Sequence, residues 1–135
     1  MICLDTNVVI AAINRRTPVV ARRLGEALTQ GVDIVLPVIA LYELRYGYAR
    51  SDRQAKMNAL LEEFLSVGIT VVPFEANDAD HAGDIRACLE RVGQPIGWYD
   101  YLIAAQARAR GAILVTANCR EFERVPGLMV TDWTT

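Results

Sequence analysis

The sequence opens with Met1-Ile2-Cys3-Leu4-Asp5-Thr6-Asn7, and these seven residues set the class of structure. Residues 1–4 are apolar without alternation, a pattern typical of a strand buried on both faces of a parallel sheet. Asp5 follows directly, and Thr6 and Asn7 lead into an apolar segment. Ligands of open α/β sheets bind beyond the carboxyl ends of the strands, so Asp5 is a candidate site residue. The alternative is that Asp5 only caps the next helix.

The rest of the chain alternates between short apolar strands and longer amphipathic segments. Strands are predicted at residues 33–37, 70–74 and 112–116, with a short fifth at 128–130. Helices are predicted at residues 17–31, 38–48, 52–68, 75–93 and 98–110. Thr17-Pro18 supplies a cap residue with proline in the first helical position. The pattern predicts one α/β domain over residues 1–135, with a central parallel sheet of four or five strands and helices on both faces.

Composition excludes several other classes of protein. The chain has 135 residues, 53% of them hydrophobic, which suits a folded domain and excludes a disordered one. Its apolar runs are far shorter than the roughly 18 residues of a membrane span, and no signal peptide is evident, so a cytoplasmic protein is expected. The net charge of −2 argues against a generic nucleic-acid binder. Three cysteines without a C-x-x-C pair, and one histidine, fit neither a disulfide framework nor structural zinc.

Four acidic residues interrupt apolar or structured segments. Asp5 ends the first strand, and Glu43 lies about two turns into the helix after the second strand. Asp100 is in the first turn of the helix that leads into the fourth strand, and Glu121 follows that strand in a predicted loop. The carboxyl ends of parallel strands lie at one edge of the sheet. We therefore expect these four acids to meet there.

Converging carboxylates must either take up protons or be neutralised by a hard divalent cation. Two unit charges about 4 Å apart repel by roughly 4 kcal/mol at an effective dielectric constant of 20. Oxygen ligands without histidine or cysteine favour Mg²⁺, with Mn²⁺ as the alternative. Since the chain offers no Ser-His or Cys-His pair, the acids predict metal-assisted hydrolysis of phosphodiester bonds. A second acidic group near His81 is better explained by the dipole of its helix; its members are Asp78, Asp80 and Asp84.

Four motifs, each with one of these acids, make the chain resemble the PIN-domain ribonucleases. They are Leu4-Asp5-Thr6-Asn7, Tyr42-Glu43-Leu44 with Gly47, Pro95-Ile96-Gly97-Trp98-Tyr99-Asp100 with Ile103-Ala104-Ala105, and Thr116-Ala117-Asn118-Cys119-Arg120-Glu121-Phe122. Their order and spacing are most similar to the VapC toxins of bacterial toxin–antitoxin pairs. The resemblance runs from Ile2 to about Trp133, which is nearly the whole chain.

The resemblance implies a Mg²⁺- or Mn²⁺-dependent endoribonuclease toxin, usually a homodimer, that a VapB antitoxin neutralises. Its expected substrate is RNA, with tRNA and initiator tRNA as the specific expectation and inhibition of translation as the result. By matching position, Asp5, Glu43 and Asp100 are the catalytic and metal-site acids, and Glu121 is the fourth, more variable one. The auxiliary polar residues are Thr6, Asn7, Thr116 and Asn118. Ala117 departs from the pattern, because a polar residue, often Asn, is common there.

Other interpretations remain open from the residues alone. The same fold without catalysis, as a protein-interaction module, is the alternative, and acids that point apart would favour it. A phosphoacceptor receiver domain needs a lysine near the last strand, and Lys56 is misplaced for that role. No G-x-G-x-x-G follows the first strand, which excludes a dinucleotide-binding domain. Further hypotheses assign RNA phosphates to Arg15, Arg16 or Arg45, base stacking to Trp98 or Tyr99, and dimerisation to apolar residues 60–65.

Overall fold

A computed structural model describes residues 1–134 and contains one five-stranded parallel sheet. The strands are β1 (Ile2–Leu4), β2 (Ile34–Pro37), β3 (Ile69–Val72), β4 (Ile113–Val115) and β5 (Met129–Thr131). Their order is β3-β2-β1-β4-β5, so β1 lies in the centre, paired with β2 on one side and β4 on the other. The α/β class, the parallel sheet and its short fifth strand are as predicted.

The helices follow the predicted segments, with ends that differ by a few residues. They are α1 (Thr6–Asn14), α2 (Pro18–Thr29), α3 (Val38–Ala49), α4 (Gln54–Leu65), α5 (Ala76–Arg91), α6 (Trp98–Ala109) and α7 (Cys119–Phe122). Two details of the sequence prediction were wrong. Arg53 precedes the first residue of α4, which does not begin at Asp52. The predicted loop after β4 contains the short helix α7, which is too short to show a helical period in the sequence.

The side of the sheet on which new strands are added changes at β1. From β1 the chain adds β2 and then β3 on one side, and it then crosses back to add β4 and β5 on the other. Because such parallel crossovers are right-handed, the helices before and after this reversal cover opposite faces of the sheet. The point between β1 and β4 is the topological switch point, where ligands of open α/β sheets bind.

The core explains why the central strand is apolar throughout. Cys3 and Leu4 of β1 are both fully buried, and so are Leu114 and Val115 of the neighbouring β4. Burial raises the pKa of the Cys3 thiol to about 12, so this free cysteine is an inert core residue. Within residues 1–134, no helix is long and apolar enough to cross a membrane.

Candidate functional site

Asp5 lies at the switch point, and both of its carboxylate oxygens accept hydrogen bonds. It is the N-cap of α1, and Oδ1 accepts from the backbone N–H of Thr6 at 2.8 Å. Oδ2 accepts from the hydroxyl of Thr116, directly after β4, at 2.7 Å. The residue is only 5% exposed, and burial raises its pKa while the two hydrogen bonds oppose that rise. Asp5 therefore caps α1 through one oxygen and is held at the end of β4 through the other.

Glu43 of α3 reaches the same place through a threonine. The hydroxyl of Thr6 donates to Oε1 of Glu43 at 2.8 Å, and the backbone N–H of Thr6 is the one that Asp5 caps. The next residue, Asn7, accepts from the backbone N–H of Ala117 at 3.3 Å. Thr6 and Asn7 thus connect the end of β1 to α3 and to the segment after β4. At position 117 this contact is made by the backbone, whatever side chain stands there.

The segment after β4 holds Glu121. Thr116 is fully buried, and its hydroxyl oxygen accepts from the backbone N–H of Asn118 at 2.9 Å. The side-chain amide of Asn118 donates in turn to Oε2 of Glu121, the third residue of α7, at 3.0 Å. A chain of hydrogen bonds therefore runs from Asp5 through Thr116 and Asn118 to Glu121. Both predicted auxiliary residues of this segment lie in it.

Asp100 completes the group from the first turn of α6. Burial, and after it the negative charges of Asp5, Glu43 and Glu121 in that order, together raise its pKa to about 6. Each of the four predicted acids therefore contributes to one electrostatic environment. The sequence prediction gave no separate role to Gly97, the N-cap of α6. A Cβ at Gly97 would lie 2.8 Å from Oδ2 of Asp100, so glycine leaves the room that this carboxylate occupies.

The donor set suits a hard divalent cation that keeps part of its water shell. Within residues 1–134, no three His, Cys, Asp or Glu side chains lie close enough together to surround one ion. Instead, three of the acids are held by neutral donors, namely Thr116 for Asp5, Thr6 for Glu43 and Asn118 for Glu121. Mg²⁺ commonly binds one or two carboxylates directly and retains several waters. The all-oxygen donors and their shared negative field fit that mode of binding.

The second acidic group makes structural contacts: ion pairs hold Asp78 and Asp84, and Asp78 is buried, whereas the prediction was surface acids stabilised by the helix dipole. The guanidinium of Arg110 contacts Oδ1 of the buried Asp78 at 2.6 Å. Nε of Arg108 donates to Nδ1 of His81 at 2.9 Å, and the same arginine forms an ion pair with Asp84 at 2.7 Å. These contacts join α5 to α6. They use the polar atoms that a second metal site would need.

Some basic and aromatic residues near the acids already have partners. Arg45 is bound to Glu62 at 2.6 Å and to Asn58 at 2.7 Å, which weakens its predicted role as a phosphate ligand. Trp98 is 73% exposed, with the guanidinium of Arg86 4.4 Å from its ring centroid. The hydroxyl of Tyr99 lies 3.3 Å from that of Tyr42. These rings lie beside Asp100 and Glu43 in the sequence and are accessible.

Comparison with known proteins identifies the family of the chain. A sequence model of the PIN domain matches residues 2–128. A tRNA(fMet)-specific endonuclease VapC from Shigella flexneri is 43% identical over 130 residues, 96% of each chain. The ribonuclease VapC2 from Haemophilus influenzae strain KW20 is 38% identical, again over 96% of each chain. Among solved structures, VapBC2 from Rickettsia felis bound to a promoter DNA fragment has a TM-score of 0.91 at 36% identity, over 98% of this chain and 99% of the other. VapBC from Salmonella typhimurium bound to DNA has a TM-score of 0.89 at 37% identity, over 98% and 97%.

Proposed function

This chain belongs to the PIN-domain family, among the VapC proteins, and we propose that it is a divalent-metal-dependent endoribonuclease of a toxin–antitoxin pair. The observation that carries the proposal is the position of Asp100. The negative charges of Asp5, Glu43 and Glu121 are close enough to raise the pKa of its carboxyl group, in addition to the larger effect of burial. Acids from four separate elements thus share one electrostatic environment near the switch point of a parallel sheet. The same group of residues is the predicted catalytic set, and its role in this chain is part of the proposal.

Asp5 and Asp100 are the proposed direct ligands of Mg²⁺, with Mn²⁺ as the alternative. Glu43 and Glu121 would accept hydrogen bonds from waters that the ion retains. When bound, the ion supplies a Lewis acid for the phosphate and a water of lowered pKa. Thr116 and the N–H of Thr6 fix both oxygens of Asp5, so that its remaining lone pairs have a set direction. Asn118 does the same for Glu121. Fixed carboxylates reduce the reorganisation that the reaction would otherwise require.

The proposed substrate is tRNA, with initiator tRNA as the specific candidate. The similar proteins from Shigella flexneri and Salmonella typhimurium carry the name tRNA(fMet)-specific endonuclease VapC. Cleavage of initiator tRNA would stop translation at its first step. The two similar solved structures are VapBC complexes, so we assign this chain a VapB-type antitoxin as its partner. A homodimer of single-domain chains, each spanning residues 1–135, is the proposed assembly.

The test is cleavage of an initiator-tRNA transcript by the purified chain, with an elongator tRNA as comparison. We expect cleavage that requires Mg²⁺, stops in EDTA, and falls by at least about a hundredfold in Asp5→Asn and Asp100→Asn. Asp84→Asn is the control, because this exposed acid pairs with Arg108 away from the site. Cleavage that persists in EDTA would refute the metal mechanism. No cleavage of any RNA, with antitoxin binding intact, would favour the catalytically silent interaction module.

A further inference from the structure

A cavity of about 340 Å³ opens beside Glu43, between α1, α3 and α4. Its apolar wall consists of Ile10 and Ile13 from α1, Leu44 from α3 and Met57 from α4. Glu43 itself lines the cavity, so the cavity adjoins the proposed catalytic acids. We call it the Gly47 pocket, after the glycine in its wall. Its volume is within the range of small-ligand sites, and a flat, largely apolar group would fit such a wall.

Two arginines give the Gly47 pocket a positive side. Arg16 and Arg53 both line it and are exposed. Neither guanidinium makes a hydrogen bond or ion pair with another group of residues 1–134. Elsewhere on the described surface many arginines are paired with acids, as Arg45 is with Glu62 and Arg110 with Asp78. Unpaired guanidinium groups beside a cavity are suited to bind a phosphate.

Gly47 leaves its part of the pocket wall without a side chain. It lies inside α3, where glycine is about 1 kcal/mol less favourable than alanine. Its φ is not in the left-handed region, and a Cβ placed there would meet no atom within 4 Å. The packing of residues 1–134 therefore gives no reason for glycine at this position. A larger side chain would extend into open space at the pocket wall.

Tyr48, the next residue, adds a polar group without a partner. It lines the pocket and is 7% exposed. Its hydroxyl oxygen is buried and makes no hydrogen bond within residues 1–134. Buried polar groups usually find a partner, and this hydroxyl, which is shielded from the cavity, would gain one from a ligand only if the pocket wall rearranged.

We propose that the Gly47 pocket binds one nucleotide of the RNA substrate, next to the bond that is cut. The base lies against Ile10, Ile13, Leu44 and Met57, and Arg16 and Arg53 hold its phosphate. This inference rests on the proposed ribonuclease function and adds to it a site that recognises a single unstacked base. Single-stranded loops present such bases. In an A-form helix the bases are stacked, and the wide minor groove exposes base edges but not base faces. The pocket therefore favours cleavage within a loop.

The methionines allow a direct test of binding. The chain has three, and Met57 lines the pocket, whereas Met129 is on β5 and Met1 precedes β1. With ¹³C-labelled methionine methyl groups, each of the four nucleoside 5′-monophosphates is titrated at millimolar concentration, with and without MgCl₂. Ribose 5-phosphate and a free nucleoside are titrated in parallel. We expect a saturable shift of the Met57 methyl signal with nucleotides, weaker shifts with the two fragments, and none at Met129.

Variants assign the signal to the pocket. Gly47→Leu should weaken nucleotide binding by at least about tenfold, and Arg16→Ala with Arg53→Ala by a similar factor. Gly25→Leu is the matched control, because Gly25 is also helical, has nothing within 4 Å of a Cβ, and lines a different cavity. In RNA cleavage, Gly47→Leu should raise KM about tenfold and leave the Mg²⁺ requirement unchanged.

The outcomes separate this proposal from the proposed function. If the wild-type chain cleaves RNA, but no nucleotide shifts Met57 and Gly47→Leu has an unchanged KM, the pocket proposal is overturned and the ribonuclease stands. If nucleotides shift Met57 and no RNA is cleaved, the nucleotide site stands and the ribonuclease fails. If the purified cognate antitoxin shifts Met57 while the nucleotides do not, the pocket binds a protein, and this also overturns the proposal.

Discussion

The hydroxyl of Thr116 donates a 2.7 Å hydrogen bond to Oδ2 of Asp5, although the two residues are 111 positions apart. Both side chains are buried, at 0% and 5% exposure, and they stand at the ends of the adjacent strands β4 and β1. A buried carboxylate that loses a partner is costly, so this bond contributes both to stability and to the position of Asp5. It connects the end of β1, near the start of the chain, to the end of β4, near the end of the chain.

Replacing Thr116 with valine tests this bond. Valine keeps the shape and removes the hydroxyl, which also accepts from the N–H of Asn118. We expect RNA cleavage to fall about tenfold and the free energy of unfolding to fall by about 1–3 kcal/mol. Thr116→Ser keeps the hydroxyl and should restore most of the activity. Urea unfolding and initial cleavage rates measure both effects, and full activity in Thr116→Val would show that the bond does not position Asp5.

Gly97→Ala should separate activity from stability. The added methyl group would lie 2.8 Å from Oδ2 of Asp100, and the carboxylate, as the end of a flexible side chain, would move away. Since Gly97 has an ordinary φ of −60°, the backbone accepts alanine without strain. We expect cleavage to fall by about 10²-fold, with a melting temperature close to that of the wild type. Gly25→Ala is the control, and equal activity in the two variants would contradict the prediction.

The raised pKa of Asp100 predicts how the stability of the metal-free protein depends on pH. In the folded chain this pKa is about 6, compared with 3.8 for an ordinary aspartate. Between these values the folded state holds a proton that the unfolded state has lost, so stability falls as pH rises from about 4 to 6 and then levels off. The Asp100→Asn variant should not show this fall in stability between about pH 4 and 6. At pH 7 in EDTA we expect it to be more stable than the wild type by on the order of 1 kcal/mol, after discounting for partial exposure.

Urea unfolding of the wild type and Asp100→Asn, measured across this pH range in EDTA, gives the difference directly. Changes caused by titrating groups outside these four acids are common to both proteins and cancel. Addition of MgCl₂ should stabilise the wild type more than the variant, since a ligand stabilises the state that binds it. A difference that does not vary with pH would mean that neither burial nor the other three acids raise the pKa of Asp100.

Arg110→Ala should be among the most destabilising changes on α6. Its guanidinium contacts Asp78, whose side chain is only 3% exposed, and removal would leave a buried carboxylate with one backbone donor. We expect a loss of about 3 kcal/mol in the free energy of unfolding. Arg22→Ala is the comparison, because its pair with Glu26 is exposed and 3.9 Å long, and should change stability by less than about 0.5 kcal/mol. Similar losses in the two variants would contradict the structural role of Asp78.

Tyr48 and Tyr101 are both buried, and comparing their Phe variants tests whether the hydroxyl of Tyr48 lacks a partner. The hydroxyl of Tyr101 accepts from the N–H of Ile96 at 3.2 Å, whereas that of Tyr48 has no partner within residues 1–134. Tyr101→Phe should therefore cost about 1 kcal/mol, and Tyr48→Phe should be neutral or stabilising. Thermal unfolding of the two variants measures this difference. If Tyr48→Phe is the more destabilising of the two, its hydroxyl has a partner in solution.

Local signals in the sequence were enough for the fold class. Apolar runs of strand length alternate with helical periods, and Thr17-Pro18 marks the start of α2, although the Thr17 side chain makes no capping hydrogen bond. The rule that ligands bind at the carboxyl ends of parallel strands then placed Asp5, Glu43, Asp100 and Glu121 at one edge. The prediction did less well where no period can develop, as in the four residues of α7, and at the start of α4.

Tertiary structure decided what each side chain does. Thr6 bonds to Glu43 across 37 positions, Arg45 is bound by Glu62, and Gly97 makes room for Asp100. None of these contacts follows from periodicity, because a pattern gives the face on which a residue lies and not the partner that packing brings to it. The sequence alone determined the elements and the edge where the acids meet. Which groups hold each acid, and which arginines remain unpaired beside a pocket, depends on how distant elements pack against one another.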